Sequence, residues 1–64
     1  MSKFEFRVGV HDGLIVVTEP ASHFYAVYGR PPILERRRPT KDQTLITQAR
    51  RAANAKAREL GWIV

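Results

Sequence analysis

The chain has 64 residues, no cysteine and a formal net charge of +5. A chain of that length forms one domain burying only about 60% of the surface its unfolded form exposes, and without cysteine it has neither a disulfide staple nor a thiolate zinc site. No run approaches a membrane span and the first residues lack the basic-then-apolar order of a signal peptide, so the expectation is a cytoplasmic protein held together by packing or self-association.

Residues 3 to 11 alternate strictly. Phe4, Phe6, Val8 and Val10 fall on one side and Lys3, Glu5, Arg7, Gly9 and His11 on the other, the pattern of a half-buried strand. Asp12-Gly13 is a preferred pair for a two-residue turn with positive φ at both positions, and the β-branched run 14 to 18 supplies the returning strand. That turn dictates a register in which His11 faces Leu14, Val10 faces Ile15, Gly9 faces Val16, Val8 faces Val17 and Arg7 faces Thr18. One face then collects Phe4, Phe6, Val8, Val10, Ile15 and Val17 as the floor of a core. Leu14 and Val16 lie on the other face, which makes it less polar than an ordinary solvated one.

Glu19-Pro20-Ala21-Ser22 reads as a loop, because proline restricts the residue before it and serine favours local side-chain bonds. A third strand is expected over 23 to 28. Both of its faces are apolar or aromatic (Phe24, Ala26 and Tyr28 against Tyr25 and Val27), so alternation does not orient it. After a turn or polyproline kink at Gly29-Arg30-Pro31-Pro32, residues 33 to 38 form either a short fourth strand, the preferred reading, or a loop. Charge at such an edge strand protects it against unwanted pairing.

A capped amphipathic helix is predicted over 40 to 60. Thr40 and Gln43 have capping-box spacing and Pro39 precedes them. Leu45, Ile46, Ala49, Ala52, Ala53, Ala57 and Leu60 fall within one arc, opposite Thr47, Gln48, Arg50, Arg51, Asn54 and Arg58. Lys56 falls inside the apolar arc, where its aliphatic stem can lead the ammonium to water. Gly61 is placed to close the helix in the left-handed conformation and Trp62 to fold back near Ala57, with Ile63 and Val64 docking behind it. The fold class is α+β: an antiparallel meander of three or four strands (βββα or ββββα order) over 3 to 38, one C-terminal amphipathic helix packed on one face, and an apolar tail over 61 to 64.

Catalytic and metal chemistry find little support. His11 and Asp12 are adjacent, but Asp12 is explained as a turn residue and no nucleophile or oxyanion donor accompanies the pair. His11 and His23 stand at opposite ends of the second strand, about 13 to 17 Å apart at about 3.3 Å per residue, too far for one ion. No glycine-rich phosphate loop occurs, and no cofactor is expected.

The basic residues are the leading functional candidates. Residues 1 to 28 carry two cations and three anions, a net charge of −1, whereas residues 29 to 64 carry nine and three, a net charge of +6. Arg30, Arg36, Arg37, Arg38, Lys41, Arg50, Arg51 and Arg58 make up a set dominated by arginine, whose guanidinium forms paired bonds to phosphate. They predict a non-catalytic module that contacts nucleic acid phosphates through the helix face and the loop leading into it. The order of elements resembles small DNA-binding domains in which a three-stranded sheet packs on one helix and enters the major groove. Those domains need polar side chains on the open sheet face, where this chain has Leu14 and Val16. That apolar face predicts, as the alternative, a protein-interaction or homodimerisation module.

Overall fold

The computed structural model describes residues 4–30 and 32–62; Lys3 at the start of the first alternating run, Pro31 of the third turn, and Ile63 and Val64 of the tail lie outside them. Four strands, β1 (Arg7–His11), β2 (Leu14–Glu19), β3 (Phe24–Gly29) and β4 (Ile33–Arg37), form an antiparallel meander in the order β1-β2-β3-β4, and one helix, α1 (Gln43–Glu59), follows. The chain is therefore α+β with the four-stranded alternative realised. No helix is long and apolar enough to cross a membrane among the described residues.

The first hairpin follows from its turn. Asp12 and Gly13 take φ values of 52° and 74°, which matches the right-handed twist of the flanking strands and pins the register. Every expected pair is found, from His11 with Leu14 to Arg7 with Thr18. Phe4 and Phe6 lie ahead of the paired part of β1 and still pack on the core, their ring centroids 5.9 Å apart.

β2 runs to Glu19, which the sequence suggested as the start of a loop. Its carboxylate turns back and accepts the amides of Ala21 (3.2 Å) and Ser22 (3.0 Å), capping a short 3-10 turn over Pro20–Ser22. His23 then takes a left-handed φ of 56°, so β3 starts at Phe24, one residue later than expected. The turn length orients β3: Val17 pairs with Ala26 and Ile15 with Tyr28. Phe24, Ala26 and Tyr28 therefore join Ile15 and Val17 beneath the helix, where they meet Leu45, Ala49, Ala53 and Ala57. Alanine at three of those four helix positions lets the axis approach the sheet at little cost in side-chain entropy.

The helix differs from the expected 40 to 60. Asp42, and not Thr40, is the N-cap: its Oδ1 accepts the Leu45 amide at 3.1 Å, while the Thr40 hydroxyl accepts the Asp42 amide at 3.1 Å. A carboxylate three residues before Leu45 reaches the exposed first-turn amides directly, so Thr40 serves the connection one step earlier. The closure at Gly61 and the return of Trp62 toward Ala57 are as predicted. Gly61 has a φ of 82°, the Trp62 amide donates to Ala57 O (2.8 Å), and the Gly61 amide donates to Arg58 O (3.1 Å). That bond pair is a Schellman closure. Lys56 is half-buried, and its Nζ meets Glu59 Oε1 at 3.1 Å.

Two residues assigned to the core face stay exposed. Val10 is 46% exposed because β1 is an edge strand and α1 lies chiefly over β2. Leu60, 38% exposed, is the C-cap and turns away from the sheet as the helix closes.

Candidate nucleic-acid interface

The arginine run at 36 to 38 is sorted by strand geometry. Successive side chains of a strand point to opposite faces. Arg36 pairs with Val27 on the face away from the helix, whereas Arg37 pairs with buried Ala26 on the helix side. A bulge sets this phase: Val27 faces Arg36 but Tyr28 faces Leu34, which leaves Glu35 as the extra residue. Leu34 and Arg37 thus share the helix side although three positions apart. Glu35 folds over Gly29, where a Cβ would come within 3.0 Å of its Oε2.

On the helix side, β3, β4 and α1 bring two cations to one phenol. Burial pushes the Tyr28 hydroxyl above its ordinary value, and the guanidinium groups of Arg50 and Arg37 pull it partly back. Arg50 reaches this point from the flank of α1 and Arg37 from β4. Arg37 is half-buried, and its Nη1 is buried without a hydrogen-bond acceptor. An unmet donor on a charged group carries the full desolvation cost of that donor. Guanidinium forks such as those of Arg37 and Arg50 suit phosphate oxygens in general.

The other candidate cations are dispersed. Arg30, just beyond β3, stacks its guanidinium 5.1 Å from the centroid of the Trp62 ring, which the helix closure holds in place. Arg38 is exposed, and its amide donates to Tyr25 O at 3.0 Å, which prolongs the pairing of β4 by one residue. Lys41 is exposed in the connection to α1. Arg51 lines a shallow polar depression on the outer face of the helix with Gln43, Thr44, Thr47 and Gln48, and Arg58 is exposed in the last turn. The structure therefore places Arg37 and Arg50 on the helix side, where both act on the Tyr28 phenol, and leaves Arg36 on the far face of the sheet.

That far face holds the other candidate surface. Leu14 and Val16 are half-buried there, and Val27 joins them in a depression of about 370 Å³ rimmed by His11, Asp12, Glu35 and Arg36. Tyr25, opposite Thr18, and Ile33 extend the same face and are 36% and 54% exposed. His11 Nε2 lies 3.4 Å from Asp12 Oδ2, with both side chains largely in solvent. Among the described residues no group of three or more His, Cys, Asp or Glu is placed to hold a metal ion.

Sequence reasoning did not assign Tyr28 and Trp62 to the basic surface, nor Val27, Tyr25 and Ile33 to the open face. Once the turn after β2 is placed, the pairing of Val16 with Val27 assigns the open face of β3. No local signal marks the bulge that turns Arg37 toward Tyr28. The chain matches no protein family, and no curated protein or solved structure matches it significantly.

Proposed function

We propose that the protein is a non-catalytic nucleic-acid-binding module that holds backbone phosphates on the helix side of its sheet, mainly without reading bases. The placement of Arg37 and Arg50 where both guanidinium groups act on the Tyr28 phenol carries this reading. A net charge of +6 over residues 29 to 64 supports it, since phosphate neutralisation supplies most non-specific affinity. Arg30 with Trp62 and exposed Arg38, Lys41, Arg51 and Arg58 supply further cations, dispersed over the loops and the helix surface.

Anisotropy titrations of labelled duplex and single-stranded DNA and RNA, at about 50 and 200 mM salt, test the proposal. Binding is expected to weaken with salt, and Arg37→Gln and Arg50→Gln each to reduce the slope of log affinity against log salt by about 1. Arg36→Gln, on the opposite face, is expected to leave the slope nearly unchanged. Absence of salt-dependent binding at micromolar protein, or an Arg36→Gln loss equal to that of Arg37→Gln, would overturn the reading.

A second reading concerns the open face. Leu14, Val16 and Val27 form an apolar patch with mixed charge at its rim, the composition of a protein-docking surface. A partner bound there is lost when Leu14 and Val16 are made polar, with the fold intact.

A further inference from the structure

β1 and β4 are the two edges of the sheet, and they are built differently. β4 carries a bulge at Glu35 and the charges of Glu35, Arg36 and Arg37, all of which resist pairing with another strand. β1 has no bulge and no proline, and its Val10 is 46% exposed. The two-residue turn makes His11 and Leu14 a hydrogen-bonded pair, so Arg7, Gly9 and His11 bond toward β2. The amides and carbonyls of Val8 and Val10 consequently point outward from the edge.

The flank of the helix above β1 matches that edge. Arg50 lies on the flank facing Tyr28 and β3. At about 100° per residue the opposite flank, toward β1, consists of Gln48, Ala52, Ala55 and the Lys56–Glu59 ion pair. It carries no arginine and no net charge, so a second basic chain can approach here without the repulsion it would meet along β4.

We infer that β1 pairs antiparallel with β1 of a second copy, about a two-fold axis through Gly9. The outward groups dictate the register. Val8 bonds across to Val10 of the partner subunit, Gly9 faces Gly9 of the partner subunit, and Arg7 faces His11 of the partner subunit with Asp12 of the partner subunit one position beyond. The arrangement is self-complementary: the exposed Val10 of each copy lies against Val8 of the partner subunit, and the Arg7 cation comes beside the carboxylate of Asp12 of the partner subunit. A continuous eight-stranded sheet results, with both helices on one face. The inference does not rest on the nucleic-acid reading, since Arg37 and Arg50 lie on the far side of the helix.

Cysteine placement tests it, because the chain has no cysteine of its own. A Cβ at Gly9 meets nothing within 4 Å, so Gly9→Cys fits the fold. Facing residues in a non-hydrogen-bonded antiparallel pair have Cα atoms about 4.5 Å apart, within disulfide reach. Gly9→Cys is expected to form a disulfide-linked dimer under mild oxidation, whereas Ile33→Cys on the opposite edge remains monomeric under the same conditions. Sedimentation of the unmodified protein is expected to show dimer mass at high concentration, and Val10→Lys to weaken the dimer at least about tenfold. Gly9→Cys that crosslinks no faster than Ile33→Cys, or a strict monomer at about 500 μM wild-type protein, would overturn the inference, whether or not Val10→Lys folds.

Discussion

Glu19 shows how one side chain can hold a junction. Its side chain is only 3% exposed, at the corner between β2 and the 3-10 turn. Burial alone would push its carboxyl up. The hydroxyl and amide of Ser22 and the amides of Ala21 and Glu5 outweigh burial and hold it below the ordinary value of 4.5. Because the folded state binds its proton less readily than the unfolded chain, the unfolded state carries more protons in this window. The contribution is fully present above about pH 4.5, where the unfolded chain is also ionised, and is lost as pH falls through the lower folded value. Glu19→Gln is expected to lower the melting temperature at neutral pH and to flatten its dependence on pH below about 5. Melting curves of both proteins between about pH 3 and 7 measure this, and parallel slopes in the acid range would remove Glu19 from the account.

At the scale of elements, the start of α1 offers a sharper test, because two good capping residues stand two positions apart. Asp42 accepts a first-turn amide of the helix, while Thr40 accepts only the amide of Asp42. Asp42→Ala is expected to cost about 1 kcal/mol, and Thr40→Ala no more than about 0.5 kcal/mol. Chemical denaturation of both variants decides between them, and a Thr40→Ala cost exceeding that of Asp42→Ala would return the cap to Thr40. This pair also shows where the sequence is legible. The Asp12-Gly13 hairpin and the Gly61 closure were legible because each depends on one residue that tolerates positive φ. The N-cap was misplaced because Thr40 and Asp42 both have the chemistry. The phase of β4 was illegible because the bulge at Glu35 inverts the alternation after Leu34, while the absence of a Cβ at Gly29 on the neighbouring strand leaves space for the Glu35 side chain. Hence the sequence named Arg36, Arg37 and Arg50 as candidates without dividing them between faces.

For the whole molecule, the sheet has one face packed against the helix and another that no described element covers. Ile15 is fully buried against α1, whereas its neighbours Leu14 and Val16 point the other way, where no described element covers them. Truncating Ile15 to Ala removes core contacts and leaves a cavity, at a cost of about 3 kcal/mol. In a 64-residue chain without staples, that is a large share of a total stability near the low end of about 5 to 15 kcal/mol. Leu14→Ser with Val16→Thr removes apolar groups that remain partly in water, so each change is expected to cost only about 0.5 kcal/mol. If folding alone maintained the open face, nothing would be lost with its hydrophobicity. As a docking face, it should bind a hydrophobic fluorescent dye in the wild type and lose most of that signal in the double variant, with the melting temperature nearly unchanged. Equal dye fluorescence from the two proteins would show that Leu14 and Val16 present no accessible apolar patch.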